Sequence, residues 1–487
     1  MKALRSLALV ASLFVAAAAG GLPACSNTAA TNAATADAGV EAEAESYPET
    51  YLEAEPQRAG DASKGYDALV NNGYVPCGIP YSAFAQVYGP APETMRVPGR
   101  TGRNAELPYN FTSMKAKSGV EIITSNCLTC HAGRIQGKLV VGLGSNDGDF
   151  TTTAQQTTQQ AEGVGILLSD PTERAEWRKW ADRVETIAPY SELDTVGPNP
   201  ADSFTAVLFA HHDPKTMAWS KVPLIELPPK VVIPVDVPPW WRMKKKASMF
   251  YVGAGRGDHA RIMMAASILC TSSIEESKEI DAYFGDIRAW IASLDAPAYP
   301  FAIDRPLAEQ GHTVFEKTCT RCHGTYGEGG KYPNRIVSLP EVKTDPLLAT
   351  GGSEFGGPYV EWFKNSFFGE TARFEPQQGY VAPPLDGIWS TAPYLHNGSV
   401  PTIAALLDST ARPTYWTRTF DSNDFDEAAL GWKFTEVDHG KDGESSQARK
   451  KKLYDTSRPG YSNAGHTFGD TLTPDERKAV LEYLKTL

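Results

Sequence analysis

Two short stretches decide how this chain of 487 residues folds: Cys127-Leu128-Thr129-Cys130-His131 and Cys319-Thr320-Arg321-Cys322-His323. Each has the pattern C-x-x-C-H, in which two thiols lie about one helical turn apart and a histidine follows directly. This spacing lets both thiols reach one edge of a porphyrin while the histidine ligates its iron. The sequence therefore predicts two covalently bound haem c groups. Their expected attachment points are Cys127, Cys130, Cys319 and Cys322, and their expected iron ligands are His131 and His323.

Two other kinds of site also use the C-x-x-C spacing. A structural zinc site would need the two cysteine pairs to meet across 192 positions of sequence. A thioredoxin-type redox pair needs only one C-x-x-C motif. Neither chemistry calls for a histidine after each pair, so haem attachment is the favoured interpretation.

Composition narrows the class of protein further. The chain has 46 basic and 58 acidic residues, a formal net charge of −12, with 41% hydrophobic and 21% charged residues. These values are typical of a soluble globular protein of two or three domains, and the acidic surplus argues against a nucleic-acid partner. Seven cysteines are too few for a disulfide scaffold. Cys77 and Cys270 lie outside both motifs, either as a disulfide or as buried thiols.

The N-terminus has the layout of an export signal. Lys2 and Arg5 precede an apolar stretch over 7–19, and Leu22-Pro23-Ala24-Cys25 resembles a bacterial lipoprotein box. We expect residues 1–24 to be a lipoprotein-type signal peptide, the alternative being a plain cleaved signal, and residues 25–60 to be a flexible tether. The expected location is extracytoplasmic, as a periplasmic or outer-membrane lipoprotein or a secreted protein, with membrane contact only through the lipid anchor.

An internal repeat divides the remaining chain. Residues 287–294 and 480–487 share one pattern at an offset of 193, close to the offset of 192 between the motifs. The predicted fold is mainly α, with two cytochrome c-like haem domains in tandem over 61–300 and 301–487, long irregular loops, and a proline-rich arm over 221–241. In the second copy, Gly311 is expected to let an aromatic side chain of the last helix approach closely.

The two irons are predicted to differ in their sixth ligand. No methionine follows Met264, so the second iron must use a histidine, for which we favour His466 and keep His396 as the alternative. Shifting these positions back by the repeat offset reaches no histidine, so the first iron is expected to keep an open position. The alternatives are that one of several other side chains fills it. These are Met249, Met263, Met264, His211, His212 and His259.

These residues resemble the di-haem family of bacterial cytochrome c peroxidases and, more closely, di-haem rubber oxygenases. The resemblance spans roughly 60–487. Besides both motifs, it rests on residues 238–246, 249–251, 257–261, 382–389, 391–399 and 465–469. It implies a reactive first haem on His131, with Phe250 and Trp241 as candidate catalytic residues, Tyr251 and Trp240 being close alternatives. It also implies a second, six-coordinate electron-transfer haem held by His323 and His466.

Three functions compete at this point. The first is an oxidoreductase that activates peroxide or dioxygen at the first haem, with a small redox protein or a small-molecule or polymer substrate as partner. The second is a di-haem electron carrier with no substrate of its own, and the third is a structural lipoprotein, for which two haems have no use. The chain is shorter than the rubber oxygenases, so cleavage of polyisoprene does not follow from the resemblance.

Overall fold

The structure is a computed structural model that describes residues 49–487. The predicted signal peptide, lipoprotein box and first part of the tether lie outside the described residues. The helices are α1 (Ala62–Asn71), α2 (Tyr81–Val87), α3 (Ala154–Ile166), α4 (Pro171–Ile187), α5 (Ala201–Ala210), α6 (His259–Met263), α7 (Ile274–Ser293), α8 (Arg305–Thr318), α9 (Thr320–His323), α10 (Leu339–Val342), α11 (Leu347–Glu354), α12 (Gly357–Lys364), α13 (Ile403–Leu407), α14 (Gln447–Lys450) and α15 (Pro474–Leu484).

Short strands form several small antiparallel sheets with the orders β1-β8-β10, β2-β4-β3, β5-β6, β7-β9, β12-β13 and β14-β11-β15. The strands are β1 (Thr50–Tyr51), β2 (Ile79–Pro80), β3 (Phe111–Lys115), β4 (Glu121–Ser125), β5 (Ala132–Ile135), β6 (Lys138–Val141), β7 (Gly255–Gly257), β8 (Arg335–Ser338), β9 (Ala372–Phe374), β10 (Gly379–Val381), β11 (Tyr415–Thr417), β12 (Phe425–Asp426), β13 (Gly431–Trp432), β14 (Thr435–Glu436) and β15 (Leu453–Asp455).

The expectation of a mainly α chain built as two cytochrome c-like haem domains in tandem is wrong. Helices make up about 40% of the structure and strands 13%, so the fold is mixed α/β. The strands arise where β-branched residues flank a turn, as in the β3–β4 hairpin, whose Ile122 and Ile123 are fully buried and whose turn holds Gly119 at φ +86°. Segments expected to be irregular thus satisfy their backbone groups by pairing with one another.

Each half contains one especially close pair of helices. The two segments of the internal repeat, 287–294 and 480–487, lie at the end of one helix of each pair. In the second half α8 packs on α15, and a Cβ at Gly311 would collide with the backbone of Ala479. The ring centroids of Phe315 and Tyr483 lie 5.1 Å apart across this crossing. In the first half α1 packs on α7, where a Cβ at Gly65 would collide with the backbone of Asp286.

The largest buried cluster fills the first half. It joins Leu69 of α1, Trp177 of α4, Phe209 of α5 and Phe284 of α7. A second cluster joins α8, α13 and α15 in the second half and includes Trp241 from the first half of the chain. Since each cluster draws residues from both halves of the sequence, the two halves form one packed body.

Two further features join distant parts of the chain. Cys77 and Cys270 form a disulfide with their Cα atoms 5.4 Å apart, which decides a pairing that the sequence left open. Residues 49–60, the described part of the predicted tether, contact both halves: Thr50 pairs with Ile336, and Arg58 forms an ion pair with Asp281. Among residues 49–487, no helix is long and apolar enough to cross a membrane.

Candidate functional site

The first C-x-x-C-H motif follows directly on strand β4. Cys127–Thr129 form a 3₁₀ turn that the Asn126 side chain caps by accepting from the Leu128 amide at 2.9 Å. The Cys127 amide donates to the Tyr74 hydroxyl, and Asn199 donates its amide to the Cys130 sulfur at 3.2 Å. Burial raises the pKa of both thiols to about 11. The turn therefore presents two neutral, unbridged thiols on one wall.

His131 points into the same space as the two thiols. Its ring stacks on Trp240, with centroids 4.7 Å apart and an interplanar angle of 24°. Burial lowers the pKa of His131 to about 4, so the imidazole is neutral, which is the form that ligates a metal. Trp240 fixes the plane of this ring.

A cavity of about 860 Å³ opens over this motif, and its walls are mainly apolar. Its size lies in the upper part of the range for pockets that enclose an organic ligand. Residues from the proline-rich arm, which contains no helix over 221–239, form part of its wall. The side chains that define the wall include Cys127, Cys130, His131, Phe204, Val231, Ile233, Trp240, Met243, Met249, Phe250, Tyr251, Met263, Phe355 and Phe374.

Phe250 lies on the cavity wall in an unusual backbone conformation. Its φ is +68°, in the left-handed region that a bulky residue rarely adopts. Its ring lies 5.9 Å from that of Phe374, and its carbonyl accepts from the Lys246 ammonium at 3.2 Å. Trp241, the other candidate catalytic residue, lies in the second cluster, where its indole N–H donates to the Asp386 carbonyl at 2.8 Å.

Two cations, the buried Arg242 and the half-buried Lys246, also border this cavity. Arg242 donates to the Asp386 carbonyl at 3.2 Å and to the Thr391 hydroxyl at 3.3 Å. Burial lowers the pKa of Lys246 to about 8. Neither cation has an ion-pair partner among the described residues. Two thiols, a neutral imidazole, apolar walls and two unpaired cations together fit a porphyrin with acidic side chains.

The second motif lies at the end of α8. Cys319 caps α8, and α9 carries Cys322 and His323. Arg335 contacts the Cys322 sulfur at 2.8 Å and is held by Glu341. His323 Nδ1 lies 2.9 Å from the Pro383 carbonyl, so its Nε2 remains for a metal, the usual division of roles in a ligating histidine.

His466 is the histidine that lies against His323. Their ring centroids are 6.1 Å apart at an interplanar angle of 57°. Two imidazoles that share one metal at about 2 Å from each nitrogen have their centres roughly 6 Å apart. The His466 amide donates to the Val342 carbonyl at 2.7 Å, and Gly465 at φ +74° leaves no room for a Cβ beside Lys343. The spacing and the rigid loop fit a metal between the two rings.

His396, the alternative ligand, has other partners. It is buried and stacks on Tyr380 with ring centroids 4.2 Å apart, and the Tyr380 hydroxyl lies 3.2 Å from His396 Nε2. Its carbonyl accepts from the Asp236 amide at 2.7 Å. His396 therefore lies between the cavity wall, to which Asp236 belongs, and strand β10.

The remaining candidates for the first iron divide into two groups. Met249 and Met263 line the cavity, whereas Met264 is fully buried in the core. His212 uses both ring nitrogens, on the Leu208 carbonyl at 2.7 Å and the Thr271 carbonyl at 3.0 Å. His211 Nδ1 lies 2.9 Å from the Ser220 carbonyl.

His259 is placed by other contacts. It begins α6, and its amide donates to the Gln57 side chain at 3.0 Å. Its Nε2 is buried with no hydrogen-bond partner among the described residues. Within residues 49–487, no group of three or more His, Cys, Asp or Glu side chains is arranged around a common point for a metal ion.

Sequence reasoning missed several contributors to the two sites. Tyr74, Asn199 and Arg335 hold the motif cysteines from positions 13 to 69 residues away. Arg242 lay in a stretch singled out in the sequence, but with no role assigned. Only the predicted burial of an arginine without an acidic partner could have indicated its place.

Comparison with known proteins identifies one segment of this site. Residues 379–417 match the family model of RoxA-like, cytochrome c-like proteins. In this segment the Pro383 carbonyl contacts His323 of the second motif, and the Asp386 carbonyl accepts from the Trp241 indole. The His396 carbonyl accepts from the amide of Asp236, which lies on the cavity wall.

Two relatives from Sinorhizobium fredii (strain NBRC 101917 / NGR234) align with parts of the chain. The uncharacterized protein y4iJ is 32% identical over 38% of this chain and 39% of its own length. The uncharacterized protein y4iM is 27% identical over 54% of this chain and 66% of its own length. The chain thus spans less than two thirds of either relative. The segment 379–417 relates this chain to the RoxA-like cytochromes c, which are haem-binding proteins.

Proposed function

We propose that the chain is an exported haem c oxidoreductase that carries one haem at each motif. The first site reacts with peroxide or dioxygen, and the second transfers electrons. The observation that carries this proposal is the contrast between the two motifs: His466 lies 6.1 Å from His323, whereas His131 is the only histidine among the described residues that line the cavity at the first motif. An iron held there by one histidine would have a position open to a small molecule, whereas an iron held by two histidines would be suited to electron transfer alone.

The residues of the first site have separate tasks in this proposal. Haem bound there supplies an iron that can exchange electrons with an oxidant. Cys127 and Cys130 would bind the porphyrin, and His131, whose ring stacks on Trp240, would ligate its iron. Arg242 and Lys246 would neutralise the acidic side chains of the porphyrin. Phe250 and the other apolar side chains exclude water and leave space for a substrate.

Electrons have a short route between the sites. Pro383 lines the cavity, and its carbonyl lies 2.9 Å from His323 Nδ1. Trp240, stacked on His131, is followed directly by Trp241, which donates to the Asp386 carbonyl three residues after Pro383. We infer that the second site supplies or removes electrons through this contact, and that a small redox protein is the external partner.

The disulfide supports an extracytoplasmic location. Cys77 and Cys270 are oxidised to a disulfide, which persists in compartments that do not reduce thiols. Export also agrees with the predicted lipoprotein signal over 1–24, and we place the protein in the periplasm or on the outer membrane.

Optical and electron paramagnetic resonance spectra of the purified protein test the assignment. We expect one low-spin iron that binds neither cyanide nor carbon monoxide, and one iron that binds both. If both irons are low-spin and bind neither cyanide nor carbon monoxide, this proposal is wrong and the electron-carrier function takes its place. Met243, Met249 and Met263 on the cavity wall are the residues that would then supply a sixth ligand.

Two assays separate the possible reactions at the first site. Consumption of peroxide in the presence of a reduced small cytochrome c indicates a peroxidase. Uptake of dioxygen with an apolar olefinic substrate indicates an oxygenase of the rubber-oxygenase-like branch.

A further inference from the structure

A second, much smaller cavity lies beside the large one. Its volume is about 20 Å³, which is enough for one water molecule. Polar groups border it, among them Asn146, Arg418 and the exposed Lys452. The small cavity therefore has the hydrogen-bonding groups that a water molecule needs, and it extends to a residue at the surface.

Asp236 borders both cavities. Its carboxylate accepts from the Tyr251 hydroxyl at 2.9 Å, and Tyr251 also lines the large cavity. The Asp236 amide donates to the His396 carbonyl at 2.7 Å, which fixes the backbone at this point. One carboxyl and one hydroxyl thus form a continuous hydrogen-bonded contact between the small cavity and the reaction space.

The surroundings of Asp236 allow it both to hold and to release a proton. Burial raises the pKa of Asp236 to about 8, while Tyr251, Arg242 and Arg418 oppose that rise. The other groups that face it are the hydroxyls of Tyr394 and Tyr454, whose own pKa values burial raises, and the His396 backbone. Arg418 is buried and donates to the Asn146 side chain at 2.9 Å.

We propose that Asp236 and Tyr251 form a relay that carries protons from the small cavity to the substrate in the large cavity. In one transfer the Tyr251 O–H bond breaks and its proton passes to an oxygen atom of the substrate. Tyr251 takes the proton of the Asp236 carboxyl. Asp236 regains a proton from the water molecule of the small cavity, and that water regains one from solvent on the side of Lys452, so no hydroxide is left behind. One proton moves inward and no electron moves in this step. The relay rests on the proposed function, because reduction of peroxide or dioxygen consumes protons.

Two variants test the relay, each with a matched control. Asp236→Asn keeps the size and one hydrogen bond but cannot transfer a proton, and Tyr251→Phe removes only the hydroxyl. Glu176→Gln replaces a buried carboxyl of α4 that lines neither cavity. Tyr461→Phe removes a buried hydroxyl that also lines neither cavity and accepts from the Asp194 amide at 3.0 Å.

Infrared spectroscopy provides a readout that does not depend on turnover. The intact protein should show the carbonyl stretch of a protonated carboxylic acid at neutral pH. Asp236→Asn should remove this band, and Glu176→Gln should retain it. A band that survives in Asp236→Asn overturns the relay. The infrared result does not depend on whether the protein consumes peroxide or dioxygen. If the protein consumes neither, that outcome refutes the proposed function separately.

Rates of peroxide or dioxygen consumption provide the second readout. We expect Asp236→Asn and Tyr251→Phe to slow turnover at least about 10-fold, as loss of an assisted proton transfer does. The solvent deuterium isotope effect should rise in both variants, and formic acid should partly restore the rate of Asp236→Asn. Equal losses in the two control variants, or slow variants with an unchanged isotope effect and no rescue, would contradict the relay.

Discussion

The position of His466 is set by its contacts with His323 and with two neighbouring segments of the chain. The centroid of its ring lies 6.1 Å from that of His323. Its amide donates to the Val342 carbonyl, and its carbonyl accepts from the Arg412 guanidinium. The counting of methionines led to this residue from sequence, because none follows Met264. The cavity contacts of Asp236, Arg242 and Asn199 could not be predicted in that way, since they depend on how distant loops pack.

We expect His466→Ala to convert the second iron to a high-spin state while the first iron keeps its spectrum. The reason is that His466 is the ring that lies opposite His323. Electron paramagnetic resonance of the oxidised protein checks this. His439→Ala, at a half-exposed histidine paired with Asp438, is the control and should change neither signal. If His396→Ala, and not His466→Ala, produces the high-spin signal, the ligand assignment is wrong.

His212 provides a pH-dependent contribution to stability. Burial is the main cause that lowers its pKa to about 4, from the ordinary 6.5. The Leu208 and Thr271 carbonyls oppose this shift, and the nearby Arg183 adds to it. The unfolded chain therefore binds a proton that the folded chain does not, so this contribution is complete above about pH 6.5 and is lost as the pH falls toward 4. At pH 5 the loss amounts to about 2 kcal/mol.

Urea unfolding at pH 7 and pH 5 measures this contribution. In His212→Gln the difference in unfolding free energy between the two pH values should shrink by about 2 kcal/mol, because the titrating group is gone. The variant His439→Gln, at a half-exposed histidine, should retain the full difference. An unchanged difference in His212→Gln would show that the ring does not titrate between folded and unfolded states.

At the scale of elements, the two helix pairs explain how far sequence could predict the fold. The repeat pattern identified α7, α15 and a close helix contact at Gly311. The expectation that an aromatic side chain approaches Gly311 is wrong, because the Ala479 backbone lies there. The small sheets were missed because each strand has only two to five residues. A run that short has no clear period of two, and its pairing partner is set by packing elsewhere in the chain.

The close crossing of α8 and α15 predicts that one methyl group added at Gly311 lowers the free energy of unfolding substantially. In Gly311→Ala the new Cβ would collide with the Ala479 backbone, so the helices must separate. We expect a loss of at least about 2 kcal/mol in unfolding free energy, measured by urea titration. In Gly165→Ala, within α3, the new Cβ meets no atom nearer than the Trp177 indole nitrogen at 3.6 Å, and stability should be equal or slightly higher. Equal losses in both variants would mean that the close crossing does not limit stability.

At the scale of the whole molecule, one covalent link joins positions 193 residues apart. The Cys77–Cys270 disulfide connects the loop before β2 with the segment before α7. A link that closes so long a loop restricts the unfolded chain strongly and stabilises the folded one by several kcal/mol. Sequence left this pairing open because spacing alone does not determine which thiols meet.

The free energy of unfolding of the double variant Cys77→Ala/Cys270→Ala should be about 3 kcal/mol lower than that of the intact protein. A mild reductant should lower the stability of the intact protein to that of the variant and leave the variant unchanged. Denaturant titrations with and without reductant provide this comparison. Equal stability of the intact protein and the variant without reductant would contradict a stabilising role.

The pairing of β1 with β8 has a consequence for the order of events during biogenesis. Thr50 and Tyr51 are made early, but their partners Ile336 and Arg335 follow both C-x-x-C-H motifs. The N-terminal strand therefore cannot close until the emerging chain has passed position 336. If each motif binds a haem as proposed, both cysteine pairs are available for attachment before this strand pairs.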